Sequence, residues 1–337
     1  MSRTVTDIQE IVAKDVLFQP LRRKTILITG ATGFIGSMII KALIFANQKY
    51  DLSMTLVGQI RSFKKAELIY GDLINAVKLV TQENEKCDYI IHTASPTSSK
   101  YFIEHPVETI KASVESTIKI LDLAKLNDAT VVYLSSMEQY GIPYENYQVM
   151  TEDKVGIIDH LNVRSSYSES KRLCECLCAS YASEYDLNVK IARLAQTFGS
   201  GMVLTDNRMP MQFTKAAIKS EDIVLHTNGK SIINFIYLTD AITGILTILL
   251  IGEKGQAYNV CNDAETRSVR KIAELVAKDI VGGRINVKIK EKENTGYAPN
   301  VKMFLNSDKL RSLGWKAEVN MKEAYERLYD YLSEEYE

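Results

Sequence analysis

Tyr167-Ser-Glu-Ser-Lys171 sets a phenol and an ammonium four residues apart, on one face of a helix. A neighbouring ammonium favours the phenolate, so Lys171 is expected to draw down a phenol pKa that is ordinarily about 10. Tyr167 would then accept or donate a proton. On its own this spacing also describes a solvated helix face, since tyrosine and lysine are frequent in the chain. A second stretch gives it meaning. Leu134-Ser-Ser-Met-Glu-Gln-Tyr-Gly141 follows an apolar, strand-like run, which puts the Ser136 hydroxyl at the carboxyl end of a strand. Hydride transfer to or from a carbinol carbon needs one group to orient the oxygen, one to move its proton, and one to adjust that proton carrier and hold the cofactor ribose. Ser136, Tyr167 and Lys171 supply all three, so Tyr167 and Lys171 are expected to touch the cofactor as well.

Such chemistry also needs a hydride carrier, and Thr25-Ile-Leu-Ile-Thr-Gly-Ala-Thr-Gly-Phe-Ile-Gly36 reads as its seat: an apolar strand, a tight turn, then a helix. Gly30 permits the turn, Gly33 lets backbone approach a pyrophosphate, and Gly36 lets helix pack on strand, with free N–H groups at the helix start facing the phosphate charge. Thr32, Phe34 and Ile35 line the same turn. A glycine triplet alone is common punctuation, and the flanking strand and helix make it specific.

The chain of 337 residues has room for one large α/β body or two lobes, and its core needs no disulfide or metal. A net charge of -1 with 25% charged residues offers no broad basic field for nucleic acid and no acidic tail. A small-molecule partner is expected. Cys174, Cys176 and Cys178 alternate in a helical stretch and cannot form one metal cage; with Cys87 and Cys261 they read as reduced thiols of a cytoplasmic protein, with no metal site. The apolar run Ala241 to Ile251 is too short for a bilayer span of roughly 20 residues and reads as a buried helix. Residues 1–24 lack the apolar core of a secretory signal; Ile8, Ile11, Val12 and Val16 instead predict an amphipathic helix packed on the body.

From Thr25 onward strands and helices alternate. Strands are expected near Met54 to Ile60, Glu67 to Tyr70, Cys87 to His92, Thr130 to Leu134 and Val189 to Ala195, with long helices at Pro106 to Lys125 and Ser166 to Tyr185. This is the pattern of an α/β, Rossmann-type doubly wound parallel sheet occupying residues 25–195. Only Arg61 to Ala66 would separate the second and third strands, so an abbreviated connection is expected there. Residues 196–337 break into shorter segments: Met202 to Arg208, Ile223 to Lys230 and Ile285 to Tyr297, with helices at Pro210 to Lys219, Val269 to Asp279 and Asn320 to Glu334. They predict a smaller C-terminal substrate lobe over the carboxyl ends of the strands, some of its segments returning to the sheet.

The glycine turn, Asp72 in Gly71-Asp-Leu, His92-Thr-Ala-Ser95, the serine loop and Tyr167/Lys171 together resemble the extended short-chain dehydrogenase/reductase family, the NAD-dependent epimerase/dehydratase group, from about Lys24 to the C-terminus. Arg164-Ser-Ser-Tyr-Ser-Glu-Ser-Lys-Arg172, Thr197-Phe-Gly199, Asp206-Asn-Arg208 and Leu313-Gly-Trp315 look most like its UDP-glucuronate decarboxylase and nucleotide-sugar dehydratase branch. The resemblance gives Ser136, Tyr167 and Lys171 the catalytic roles and sets Glu138 where decarboxylases and dehydratases carry an acid/base glutamate. It places Asp72 on the adenine and Leu73, Thr93, Ala94 and Ser95 along the cofactor, while His92 supports the cofactor loop. His226 falls where the family often stacks a ring on the nucleotide base. It further implies a nucleotide-sugar substrate, a homodimer built on the helices at Pro106 to Lys125 and Ser166 to Tyr185, and work of the polysaccharide-biosynthesis kind in the cytoplasm, away from membranes.

The departures are informative. These enzymes usually end the second strand in an acidic residue for the NAD ribose, whereas Val57-Gly-Gln-Ile-Arg61 has none, and Lys64 and Lys65 follow. NADP is then slightly favoured over NAD, with Arg61 as a contact to a 2'-phosphate. Gln196 stands in place of a substrate-side asparagine, Ile233 in place of a diphosphate-binding arginine, and Lys302 about where decarboxylases hold an arginine for the sugar carboxylate; Arg208 remains. A lysine does not replace a bidentate fork. The reading is an NAD(P)-dependent nucleotide-sugar enzyme of epimerase, dehydratase or decarboxylase type. Its rivals are a one-way NADPH reductase of a nucleotide-linked keto sugar and, more remotely, a non-catalytic dinucleotide sensor.

Overall fold

A computed structural model describes residues 2–82, 84–145, 149–291 and 302–336. Its first half is built on β1 (Thr25–Thr29), β2 (Thr55–Gln59), β3 (Lys78–Val80), β4 (Tyr89–His92) and β5 (Thr130–Ser136). The strands Val189–Leu194 and Ala257–Val260 complete a seven-stranded sheet in the order Ala257–Val260, Val189–Leu194, β5, β4, β1, β2, β3. All neighbours are parallel. The winding reverses between β1 and β4, which opens the crevice where folds of this kind receive ligands.

Alternation along each strand explains why the sheet is covered on both faces. Ile26 and Ile28 of β1 join one core with residues of α2 (Phe34–Tyr50) and the helix Leu238–Ile251, as does the N-terminal helix α1 (Arg3–Val12) through Ile8, Ile11 and Val12. Leu27, Ile90, Val131 and Tyr133 point the other way, into a core shared with α5 (Pro106–Asn127) and α6 (Ser166–Glu184). A third cluster, around Phe198, Met211, Phe213, Ile272, Tyr325 and Leu328, holds the C-terminal segments together. The run at Ala241 to Ile251 is part of a helix buried through Leu249, and among the described residues no helix is long and apolar enough to cross a membrane.

The third strand lies elsewhere than its sequence suggests. Glu67 to Tyr70 is the second turn of α3 (Phe63–Tyr70), a helix whose N-cap Ser62 accepts the Lys65 N–H at 3.3 Å. Ala66 and Tyr70, one helical turn apart, face the core while Leu68 is 82% exposed. The short apolar run had helical rather than alternating periodicity. A 3-10 stretch, Gly71–Ala76, then leads to β3, so the crossover is a normal helix. Val16 is also misassigned: α1 ends at Val12, two short 3-10 turns follow, and Val16 is 72% exposed while Phe18 is buried instead. The helix at Val269 to Asp279 is α-helical over Val269–Leu275 and widens to a π turn over Val276–Ile280. Ile285 to Tyr297 contributes the strand Val287–Ile289, and its part beyond 291 lies outside the described residues.

Candidate active site

The glycine turn forms as the spacing requires. Gly30 has φ +64°, and a Cβ there would lie 2.7 Å from Thr93 Oγ1. A Cβ at Gly36 would meet the Gly30 carbonyl oxygen at 2.4 Å, so close packing of α2 on its own turn excludes any side chain. Gly33, at the N-cap of α2, offers no side-chain cap, which leaves the first N–H groups of a 17-residue helix open to an anion. This cradle, too tight for side chains and lined by unspent donors, fits a pyrophosphate-bearing dinucleotide. Thr32, Phe34 and Ile35 are half-buried around it.

Neighbouring elements brace the turn. The Tyr70 hydroxyl donates to the Ala31 carbonyl at 2.5 Å, and Thr93 Oγ1 donates to the Thr29 carbonyl at 2.6 Å. The backbone N–H of Ala94 donates to Thr29 Oγ1 at 3.2 Å. His92 is buried between Thr29 (2.7 Å) and Thr117 (3.3 Å), and desolvation, helped by the Lys171 charge, pushes its pKa down to about 3. It is a neutral ring at the end of β4, directly before Thr93, Ala94 and Ser95. Asp72 is exposed and Leu73 half-buried in the 3-10 stretch. Past the end of β2, Arg61, Lys64 and Lys65 are exposed without an ion pair among the described residues.

Ser136 is the last residue of β5, and Tyr167 and Lys171 occupy the first turn and a half of α6. Lys171 is buried, its Nζ donating to the Leu134 carbonyl at 2.7 Å and standing 5.7 Å from the Tyr167 ring centre. Desolvation lowers its pKa to about 8 against the opposing pull of Cys174, Glu175 and Cys178. Tyr167 differs from the sequence expectation. Its phenol pKa is raised, by burial first and the Glu138 charge second, while Ser136, Arg208 and Arg164 oppose the shift. Burial and the Glu138 charge outweigh the cations beside the phenol. Tyr167 therefore stands as a protonated phenol.

Two participants gave little sequence signal. Phe102 of α4 (Ser99–Glu104) stacks on Tyr167 with ring centres 4.3 Å apart and 7° between planes. Arg164, quoted only as part of a motif, puts its Nη1 3.2 Å from Glu138 Oε2 and its guanidinium 5.7 Å from the Phe102 ring centre. Spacing could have found Arg164, three residues before Tyr167; nothing in the sequence marks Phe102. Arg208 lies close enough to act on the Tyr167 phenol; it pairs with Asp206 at 2.8 Å, donates to the Thr197 carbonyl at 3.0 Å and covers the Phe34 ring. Gln196 is half-buried on the strand Gln196–Phe198, beside Phe235–Tyr237. Ile233 faces Arg267 across a short antiparallel pair, and Lys302 bridges Ile232. His226 stands apart, its Nδ1 3.4 Å from the Lys290 carbonyl oxygen, and no contact among the described residues links it to Ser136, Tyr167 or Lys171.

Cys174 and Cys178 are buried and Cys176 is exposed, and no group of metal-ligating side chains gathers among the described residues.

Residues 26–261 match the profile described as the NAD dependent epimerase/dehydratase family, which spans most of the sheet and the whole site above. The chain belongs to this family. This epimerase/dehydratase chain, an enzyme of the extended short-chain dehydrogenase/reductase type, is similar to UDP-glucuronic acid decarboxylase 6 of Arabidopsis thaliana, 31% identical over 88% of this chain and 85% of that one. Its fold is shared with UDP-glucose 4-epimerase of Thermotoga maritima (TM-score 0.77, 18% identity, covering 93% of this chain and 100% of that one). It is shared too with UDP-glucuronic acid 4-epimerase of Bacillus cereus, solved with UDP-glucuronic acid and NAD (TM-score 0.75, 20% identity, 93% and 100% covered).

Proposed function

We propose that this member of the epimerase/dehydratase family transforms a nucleotide-linked sugar, beginning with hydride transfer at a carbinol or ketone carbon. The observation that carries the reading is the convergence of Ser136, Glu138, Tyr167 and Lys171 at the carboxyl end of β5, across the crevice from the glycine turn. The similarity to UDP-glucuronic acid decarboxylases supports the substrate class. Gly30, Gly33, Gly36 and the start of α2 would hold the pyrophosphate, with Asp72, Leu73, Thr93, Ala94 and Ser95 along the rest of the dinucleotide. A nicotinamide bound there supplies the hydride donor or acceptor. Ser136 donates a hydrogen bond to the substrate oxygen, and Tyr167, resting as a phenol, gives that oxygen its proton as a ketone is reduced or takes it back on oxidation. Lys171 stays buried behind the phenol. Glu138, held by Arg164, moves a proton when the net reaction is dehydration. Residues 196–337 would supply most of the sugar-nucleotide contacts, Gln196 and Arg208 among them, and His226 would stack on the base.

The unpaired cations after β2 favour NADP over NAD, and they also sustain a second reading, one-way reduction of a nucleotide-linked ketone by NADPH. Denaturing freshly purified protein and assaying released dinucleotide separates the two: retained NAD supports internal recycling, and stoichiometric loss of added NADPH supports reduction. Replacing Arg61, Lys64 and Lys65 together with Ala is expected to weaken NADPH binding about tenfold and leave NADH within about twofold. Equal losses for both would remove the case for a 2'-phosphate contact.

A homodimer fits the same reading. Val107, Ile110 and Ile118 form an exposed apolar stripe on α5, and Leu173 is exposed on α6 beside it. Ile110→Glu is expected to convert the dimer to monomer in sedimentation velocity at micromolar concentration; an unchanged dimer would place the interface elsewhere.

A further inference from the structure

Asp7 is fully buried near the middle of α1. Its Oδ2 accepts from the Ser200 hydroxyl at 2.7 Å and the Tyr237 hydroxyl at 2.6 Å, and its Oδ1 accepts from Arg3 Nε at 3.0 Å, with Arg327 Nη1 at 3.5 Å. Ion pairs run on from Arg327 to Glu10 and Glu323. Docking α1 does not need such a group, because Ile8, Ile11 and Val12 already bury its apolar face, and a buried ion pair seldom adds stability over apolar packing. What the carboxylate adds is direction: it fixes two hydroxyls from outside its own helix.

One of those hydroxyls belongs to the turn Gly199–Gly201. This turn is wedged in place, since a Cβ on Gly199 would sit 2.8 Å from Leu238 Cβ and one on Gly201 3.0 Å from Met38 Sδ of α2. It follows Thr197, whose carbonyl accepts from Arg208, and it leads into Asp206, which holds the Arg208 guanidinium. Arg208 in turn covers Phe34 at the dinucleotide cradle and acts on the Tyr167 phenol. The segment from Thr197 to Arg208 is thus tied at its ends by Arg208 and in its middle by Asp7.

We propose that Asp7 is a positioning residue for the substrate side of the active centre: the N-terminal helix uses it to fix the Ser200 turn and, through that turn, Arg208. The inference rests on the reading that Arg208 meets substrate. Asp7→Ala in the full chain tests it by amide hydrogen exchange, by NADH and NADPH titration, and by kcat and KM with UDP-glucuronic acid as probe. Exchange over residues 199–208 is expected to rise about tenfold, and KM about tenfold with kcat within about threefold, while dinucleotide affinity is unchanged. A lowered melting temperature with unaltered exchange over 199–208, or faster exchange spread evenly through the chain, would overturn the proposal. If Asp7→Ala does not yield folded protein, Ser200→Ala removes a single hydrogen bond and leaves the carboxylate paired. It must raise exchange over 199–208 by itself, and its silence overturns the proposal equally. Arg208→Ala is the control: normal KM there means that the substrate reading of Arg208 has failed, while the exchange data still decide whether Asp7 fixes the turn.

Discussion

Tyr167→Phe is expected to lower turnover by at least about a thousandfold and to leave dinucleotide binding intact, because on the proposed mechanism it deletes the group that exchanges a proton with the substrate oxygen. The ring remains. A phenylalanine keeps the stack on Phe102 at 4.3 Å and the buried volume, so the melting temperature should change little. Steady-state assay on a responsive sugar nucleotide, beside NADH and NADPH titration, gives both halves of the prediction. Retained turnover would remove Tyr167 from the mechanism. Lost dinucleotide binding would mean that the phenol holds the cofactor rather than the substrate.

The protonated state of Tyr167 bears on direction. Burial and the Glu138 carboxylate both disfavour a phenolate, and Arg164 and Arg208 only partly offset them. Lys171 is pushed down to about 8 by its own desolvation against the pull of Cys174, Glu175 and Cys178, and its Nζ donates to the Leu134 carbonyl. On the proposed mechanism, a phenol held in its protonated form suits giving a proton to a ketone-derived oxygen. Oxidation of a carbinol requires the phenol to release its proton first, and the cations around it are what lower that barrier.

The sheet was legible wherever its physical signal was local. Alternation that buries both faces marks β1, β4 and β5, and Gly30, Gly33 and Gly36 could be assigned from a strand on one side and a helix on the other. Four residues with one helical face were enough to pair Tyr167 with Lys171. The failures came where two periodicities fit the same few residues. Glu67 to Tyr70 reads as a strand by apolarity, and only the Ser62 cap and the Ala66/Tyr70 spacing reveal the helix. The strand Ala257–Val260, which completes the sheet far along the chain, follows from pairing with Val189–Leu194, a contact that no local pattern encodes.

The site divides in the same way. Residue types chosen for chemistry stand out, so Ser136, Tyr167 and Lys171 could be picked by type and spacing. Their charges could not. The Tyr167 shift depends on burial and on the Glu138 charge beside it, and both are tertiary facts. Phe102 and Asp7 matter through contacts with residues distant in sequence, and neither spacing nor composition singles them out.

A buried ion pair behind β5 carries the other large expected effect. Arg193 donates to Glu175 through Nε at 3.0 Å and Nη2 at 2.7 Å, and through Nη1 to the Tyr140 hydroxyl and the Glu152 carbonyl, both at 2.8 Å. Glu175 also accepts from the Ser135 hydroxyl, and Tyr140 donates to Asn259 Oδ1 at 2.8 Å. The network ties the end of β5, which bears Ser136, to α6, which bears Tyr167 and Lys171. Arg193→Ala strands a buried carboxylate, which costs about 3–5 kcal/mol, and the melting temperature should fall by roughly 4–7 °C. Removing both charges, as Glu175→Gln with Arg193→Met, leaves no unpaired ion and should recover part of that loss. Turnover should stay low in both variants, because Ser135 and Tyr140 no longer share a fixed acceptor and donor and the serine loop drifts from Tyr167. A calorimetric scan of the three proteins decides it: a melting temperature for Arg193→Ala within about 2 °C of the parent would mean that apolar packing alone fixes the serine loop.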